Sequence, residues 1–360
     1  LIQFEKRDEP SRKALILVPL IAVALSIVGS SIFLTILGKP PLSAMYSFFV
    51  APFESFYSIT EILLKFGPLL LIAQALAVGF RAKVWNIGAE GQMIAGAVAA
   101  SSLPILYNDS ASPLMLPAMV LLGVLGGMAW AGVAALLKTR FNASEILVTL
   151  MLNSVAIQLL YYLVLGPWKD PMGFNFPQSV LFQDAALFPM LFAGARLNLS
   201  ILLPLIFTVF VWILMQRRFE GFKLMVSGLA PDAASYAGFN NKRAIWFSLL
   251  LAGGAAGLAG MAEVAGPIGQ LQRSITSGYG YSAIIVAYLG ALHPVGIVFA
   301  AFFLAVISIG GDIALVSADI PISAVRVFQG MLLVFYLASY TFVTYRVHRA
   351  RTPRTQGEAT

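Results

Sequence analysis

The chain has 360 residues, 59% of them hydrophobic and only 11% charged, with a mean hydropathy of +0.86. That leaves too little charge to cover a water-soluble globule, so the protein is integral to a membrane. Its formal charge of +7 lies in short basic clusters between apolar runs, where it sets orientation instead of binding nucleic acid, and with no cysteine and two lone histidines there is neither a disulfide nor a basis for a metal centre.

In chain order, Lys6, Arg7, Arg12 and Lys13 precede an uncharged run from Ala14 to Gly38. The run exceeds the roughly 7–15-residue core of a signal peptide, so it is expected to remain as a first span with residues 1–13 as a cytoplasmic tail. Lys39 to Thr60 is amphipathic and aromatic (Tyr46, Phe48, Phe49, Phe53, Phe56, Tyr57) and suits the outer interface. A second span from about Glu61 to Phe80 ends at Arg81 and Lys83 in the cytoplasm. Gly91 to Asn108 returns outward to a turn at Tyr107-Asn108-Asp109-Ser110, Ala111 to Leu137 comes back to Lys138 and Arg140, and Ile146 to Trp168 leaves again. Residues 169–196, with several Pro, Gly and Phe, form an external segment suited to a lid or docking platform. Leu197 to Gln216 leads inward to a basic interruption at residues 217–243, and Ala244 to about Gly266 leads out.

The end of the chain is settled by parity. Arg346, Arg349, Arg351 and Arg354 place the tail at 346–360 in the cytoplasm. The apolar stretch from Ser274 to Gly311 is then expected to cross twice, turning at His293-Pro294, with a broken or re-entrant first half at Gly278-Tyr279-Gly280 as the alternative, before a last span from about Ile320 to Tyr345. Each half, at about 1.5 Å per residue, just spans a core of about 30 Å. The expected fold is an all-α polytopic membrane protein, one permease-like domain of about ten transmembrane helices in which two inverted four-helix blocks flank the sixth span. Each block has a glycine-interrupted segment after its first helix, Asn86 to Gln92 in one and Ser277 to Tyr281 in the other. Paired interruptions of this kind point to a translocation site.

Candidate residues gather at those interruptions. Gly88 and Gly91 free the backbone from helical geometry while Asn86, Glu90 and Gln92 bring polar groups to a span boundary. A plain helix cap and a pore-lining segment both fit. Glu263, in Gly257 to Gly266, is an intramembrane carboxylate, which at about 3 kcal/mol is expected to face a cavity, a partner such as Arg273, or the outer headgroups. It suits hydrogen bonding to solute hydroxyls; Gln270, Gln272 and Tyr279 are secondary candidates. No phosphate-binding Gly-x-x-x-x-Gly-Lys-Ser/Thr occurs, so ATP is not hydrolysed here, and no buried Asp, Glu and His series suggests a proton relay.

Within the basic interruption, Gly221 to Gly238 reads as one or two short helices, with Asp232 to Tyr236 forming a turn that begins at Pro231 and bends at Gly228 and Gly238. This string resembles the coupling loop of ABC importer permeases. Trp85-Asn86-Ile87-Gly88-Ala89-Glu90-Gly91-Gln92 is similar to the signature of nucleoside-type permeases, where Phe is usual at the Trp85 position. Gly278-Tyr279-Gly280-Tyr281, leading into Ile284 to Gly290, resembles the same group, with Phe common where Tyr281 stands. The resemblance covers nearly the whole chain and implies the permease subunit of an ABC importer of the nucleoside and simple-sugar (ribose-type) family. It implies a passive pore, worked by separate ATPase subunits that hold ATP and Mg, paired with a second permease subunit, identical or homologous, and served by an external substrate-binding lipoprotein or periplasmic protein. It also implies a solute that is a nucleoside or a related purine or pentose, and a bacterial cytoplasmic (inner) membrane location with both termini inside. On that likeness Ser227, Gly228, Asp232, Ala233, Ala234, Tyr236 and Gly238 belong to the ATPase contact, and Asn86, Glu90, Gln92, Glu263, Gln270 and Tyr279 to the substrate path. An ion-gradient-driven secondary transporter is the alternative, and a non-transporting membrane scaffold a third.

Overall fold

The computed structural model describes residues 2–6, 12–108, 110–275 and 277–349. The expected turn residue Asp109 and the tail beyond residue 349 lie outside them. In order the elements are β1 (Ile2–Lys6), α1 (Arg12–Ile36), α2 (Pro41–Phe49), α3 (Phe56–Arg81), α4 (Ala89–Leu106), α5 (Met115–Phe141), α6 (Glu145–Leu165), α7 (Leu202–Arg217), α8 (Phe219–Leu229), α9 (Pro231–Tyr236), α10 (Asn241–Glu263), α11 (Tyr279–Leu289), α12 (Pro294–Ala318), α13 (Ile322–Thr344) and β2 (Tyr345–Arg349). Among the described residues, 8 helices are long and apolar enough to cross a bilayer: α1, α3, α5, α6, α7, α10, α12 and α13. The other two segments expected to cross are α4, whose first turn carries Glu90, and α11, which has 11 residues and reaches about 16 Å, half of an apolar core. The stretch from Ser274 to His293 is therefore not one full-length helix. A 3-10 turn at Arg273–Ile275 and a left-handed Gly278 (φ 87°) delay the α-helix to Tyr279.

The chain divides into two units, residues 1–41 with 326–360, and residues 42–325. In the first, β1 and β2 pair antiparallel, Ile2 opposite Arg349 and Lys6 opposite Tyr345. Ile2-Gln3-Phe4-Glu5 and Tyr345-Arg346-Val347-His348 each alternate apolar and polar residues, but this ribbon was not expected. It brings the start of α1 and the end of α13 together. Along the same unit Ser30 Oγ lies 3.7 Å from Met331 Sδ.

In the second unit α3 is the axis, with its side chains buried almost without a break from Thr60 to Phe80 and α7, α10, α11 and α12 around it. A second nucleus is the contact of α4, α5 and α10, which glycine makes possible. A Cβ on Gly96 would stand 2.2 Å from Gly257 Cα, and one on Gly127 would stand 2.0 Å from the Gly253 carbonyl oxygen. Helices in lipid gain nothing from hiding apolar surface from one another, so such backbone-to-backbone approach is what holds them. Between α5 and α6, Asn142 takes a left-handed cap (φ 52°) and Lys138 Nζ pairs with Glu145 at 2.9 Å, which turns the chain sharply.

The segment 169–196, expected outside, folds back on the C-terminal end of α10. Ser179 N donates to Leu271 O (2.8 Å), Phe182 N to Gly269 O (2.9 Å) and Phe188 N to Ala265 O (2.8 Å), so it is a fixed cover there. At the opposite end α8 lies across the last turns of α7 and α3. A Cβ on Gly221 would be 2.4 Å from Leu214 O, and one on Gly228 would be 2.6 Å from the Ala82 carbonyl carbon.

Candidate functional site

The two glycine-interrupted segments meet. After α3 the chain turns back through Lys83, whose φ of 58° reverses it, and climbs without helix from Val84 to Gly88 before α4 begins. Glu90, in the first turn of α4 and 2% exposed, accepts hydrogen bonds from Gly278 N (2.9 Å) and Gly280 N (2.7 Å) at the start of α11. One carboxylate thus sits at the N-terminal ends of two helices, where the unpaired N–H groups and helix dipoles favour negative charge. Only glycine permits the approach, because a Cβ on Gly280 would stand 2.2 Å from Glu90 N. At the other end of α11, Tyr288 stacks on Phe80 (centroids 5.3 Å apart) and lies 6.3 Å from Trp85. From Tyr288 back to Gly280 is about 12 Å along the helix.

Asn86 and Gln92 are occupied with each other. Asn86 Nδ2 donates to Gln92 Oε1 (2.9 Å), Gln92 Nε2 donates to Asn86 Oδ1 (3.1 Å), and the same oxygen accepts from Gly88 N (2.9 Å). Both are almost fully buried. In this arrangement the polar atoms of Asn86, Glu90 and Gln92 hold the interrupted segment in shape. Asn153 of α6 completes the brace, accepting from Gly91 N (2.8 Å) and donating to Ile87 O (2.9 Å) and the Tyr281 hydroxyl (3.0 Å).

Beside the joint, toward the C-terminal end of α10, is a polar cavity of about 280 Å³, walled by α3, α10, the start of α11 and the segment between α10 and α11. Glu263 and Tyr279 both line it. Glu263 is the last residue of α10 before a π-helical turn at Val264–Ile268, a distortion that Pro267 enforces by lacking an N–H. Arg273 lies 4.1 Å over the Tyr161 ring. Gln272 lines the cavity too, while Gln270 donates to Gln178 Oε1 (3.2 Å) in the outer cover, and its own Oε1 is buried with no hydrogen-bond partner among the described residues.

Three charged residues of this site were missed. Glu61 and Lys65 lie one turn apart on α3 and both face the cavity, with Lys65 Nζ 5.5 Å from the Tyr279 ring centre. Arg196, at the root of the outer cover, grips Glu61 with both ends of its guanidinium, Nε to Oε1 at 3.0 Å and Nη2 to Oε2. That hydrogen-bonded carboxylate raises the guanidinium above its ordinary value. Glu61 and Arg196 also border a second cavity of about 400 Å³ that reaches Asp312 on α12. The signal was present: a glutamate and a lysine four residues apart inside an apolar span lie on one helical face, and such charges in a span mark a solute path or a paired partner.

At the opposite end, α9 stands clear. Asp232 and Ala233 are exposed and Tyr236 is 97% exposed, whereas Ala234 is buried. Gly238 (φ 80°) bends the chain toward α10. Ser227 borders a groove between α8 and α10, and Gly228 packs on the end of α3, so these two connect the loop to the bundle and do not project from it.

Comparison with known proteins adds the family. The family described as branched-chain amino acid transport system / permease component matches residues 58–337. The chain is 33% identical over 340 residues to the glucose ABC transporter permease protein TsgB13 of Haloferax volcanii, covering 91% of this chain and 89% of that one. It is 29% identical to the guanosine ABC transporter permease protein NupP of Bacillus subtilis (90% and 94% covered) and 28% identical to the nucleoside ABC transporter permease protein NupB of Lactococcus lactis (90% and 91%). Among solved structures, PsaBC from Streptococcus pneumoniae in complex with Fab aligns with a TM-score of 0.43 at 12% identity, over 80% of this chain and 92% of that one.

Proposed function

The chain belongs to the family of branched-chain amino acid transport system permease components, and from that footing we propose that it is the pore subunit of an ATP-driven importer of nucleosides, or of related purines or pentose sugars. The observation that carries the reading is the polar cavity at the joint of the two interrupted helices, where Glu263, Lys65 and Tyr279 converge. A carboxylate offers acceptors to ring hydroxyls or N–H groups, an ammonium offers donors, and an uncharged polyhydroxylated solute uses both. The solute class is drawn from the guanosine, nucleoside and glucose relatives, which also favour it over the amino acids in the family's title. Glu263, Tyr279, Gln272 and Gln270 are assigned to the path, and Asn86, Glu90 and Gln92 to its frame.

In this reading ATP and Mg are bound by a separate ATPase, a second permease subunit completes the pore, and an external binding lipoprotein or periplasmic protein delivers solute to the outer cover. Asp232, Ala233 and Tyr236 meet the ATPase, with Ala234 and Gly238 shaping the turn. Closure of the ATPase pushes α9, α8 passes the push to α3 and α7 through Gly228 and Gly221, and α3 moves one wall of the cavity. The setting is a bacterial cytoplasmic membrane with both chain ends inside, which the pairing of β1 with β2 supports by putting the two ends on one side.

The test is solute uptake into vesicles holding both permease subunits and the ATPase, with the binding protein and solute outside, which should require ATP inside. Uptake by the isolated chain under a proton or sodium gradient would establish the ion-driven alternative instead. Two substitutions sharpen it. Glu263→Gln should lower uptake by about tenfold, on the order of one lost charged hydrogen bond, with membrane abundance unchanged; equal losses in both would make Glu263 structural. Asp232→Arg is expected to reduce copurification of the ATPase and ATP-driven uptake together, while intact copurification would remove α9 from the contact.

A further inference from the structure

We propose that α8 is an in-plane membrane helix whose lateral apolar face is seated in the inner leaflet and held by anionic phospholipid headgroups. The loop between α7 and α10 is then anchored to lipid through α8 and offered to protein through α9. Its sidedness rests on the cytoplasmic reading of that loop given above.

Depth comes first. A single residue, Arg218, in extended conformation, separates α7 from α8, so α8 begins where a membrane span ends. Gly221 packs on the backbone of Leu214 and Gly228 on that of Arg81 and Ala82, the closing turns of α7 and α3. Seven residues of helix cover about 10 Å, close to the usual spacing of neighbouring helix axes, so α8 bridges the two ends lying flat in the membrane plane. Arg217 over the Trp212 ring, at 5.5 Å, marks the headgroup level at the same place.

Orientation follows from about 100° per residue. Gly221, Leu224 and Gly228 share the face turned to the bundle and are buried or packed there. Glu220, Lys223 and Ser227 share a second face and border a groove of about 420 Å³ against Asn240, Arg243 and Phe247. The third face, Phe222 (48% exposed), Met225 (40%) and Leu229 (67%), points sideways, away from α10. Phe219 lies edge-on to Phe239 of the α9–α10 connection, centroids 5.9 Å apart, which marks the α9 side of the helix. The remaining apolar face therefore looks out along the membrane plane, at the boundary between headgroups and acyl chains.

Charge selects the lipid. Arg217, Arg218, Lys242 and Arg243 are exposed around the helix, with Lys223 paired to Glu220 at 2.8 Å, and only Glu220 and Asp232 oppose them between residues 217 and 243. Such a cluster beside an apolar helix face attracts anionic headgroups.

Because the sequence has 0 cysteines, single-cysteine variants of the full chain report one site each. Phe222→Cys, Met225→Cys, Leu229→Cys, Glu220→Cys, Ser227→Cys and Asp232→Cys would be spin-labelled in phosphatidylcholine vesicles with and without phosphatidylglycerol. Collisions with oxygen should exceed those with a water-soluble nickel chelate several-fold at 222, 225 and 229, and the order should reverse at 220, 227 and 232. Phosphatidylglycerol should deepen the first three, an effect that Arg218→Gln with Arg243→Gln removes. Nickel access at 222, 225 and 229 equal to that at 232 would overturn the proposal, as would protection that appears only when the ATPase is added, which would make this face a protein contact. Depth unaffected by phosphatidylglycerol would overturn the anionic anchor. Impermeant thiol labelling of Asp232→Cys from each side tests the sidedness separately, so a failure there counts against the importer reading and not against burial in lipid.

Discussion

Glu90→Gln is expected to destabilise the purified chain by about 3 kcal/mol and to cut ATP-driven uptake by more than an order of magnitude. The carboxylate serves Gly278 N and Gly280 N at 2.9 and 2.7 Å. Hydrogen bonds to a charged group contribute about 1.5–3 kcal/mol each, and a glutamine keeps one acceptor while turning an N–H₂ group toward the second donor. The lost negative charge also faced the N-terminal ends of α4 and α11, worth about another 0.3–2 kcal/mol. No water is at hand to take over, because Glu90 is 2% exposed. Glu90→Asp, shorter by one methylene, should reach one donor and fall between. Thermal unfolding separates this role from solute contact. A path residue would change the apparent affinity for solute and leave the midpoint alone, so an unchanged midpoint with weaker solute affinity would refute the clasp.

That outcome bears on how far the sequence could be read. Among the described residues 8 of the expected spans, the glycine interruption before α11 and the short helix at Pro231 follow from hydropathy, basic clusters and glycine, since each is decided within a few residues of chain. The pairing of the two interruptions was legible as a pattern. Its chemistry was not: Asn86 and Gln92 are as polar as any pore lining, and only their six-residue separation folded round Gly88 shows that they satisfy one another. Glu61 was taken as the edge of a span because it follows an interfacial segment, yet its partner Arg196 lies far along the chain at the root of the outer cover. Contacts of that separation leave no local trace in one sequence. The β1–β2 ribbon escaped for the same reason, being a pairing of the two ends of the chain. Glycine was the most faithful guide, for it marks where backbones touch whatever the distance in sequence.

A large steric effect is expected at Gly257. Alanine ordinarily favours a helix over glycine by about 1 kcal/mol, so Gly257→Ala would stabilise α10 if the site were open. It is not open. The added Cβ would stand 2.2 Å from Gly123 O and 2.9 Å from Gly127 Cα, both backbone atoms of α5 that cannot rotate aside. Helix α5 must retreat by more than 1 Å, which also parts Gly127 from Gly253 and forfeits the close packing that takes the place of a hydrophobic drive in lipid. Overpacking of this kind costs about 1–3 kcal/mol and more when backbone must move, so a net loss is expected despite the better helix former. Gly254→Ala, one turn earlier on the same helix, is the control, since its Cβ would meet only the flexible side chain of Met128 at 3.2 Å and Val124 at 3.4 Å. That variant should unfold at the same temperature as the parent or slightly higher, while Gly257→Ala unfolds several degrees lower and loses uptake further than abundance. The excess loss of uptake follows because α10 carries Glu263 less than two turns beyond Gly257, so moving the helix moves one wall of the cavity. Equal midpoints for the two variants would mean that the three helices yield at this contact, and that glycine there is incidental.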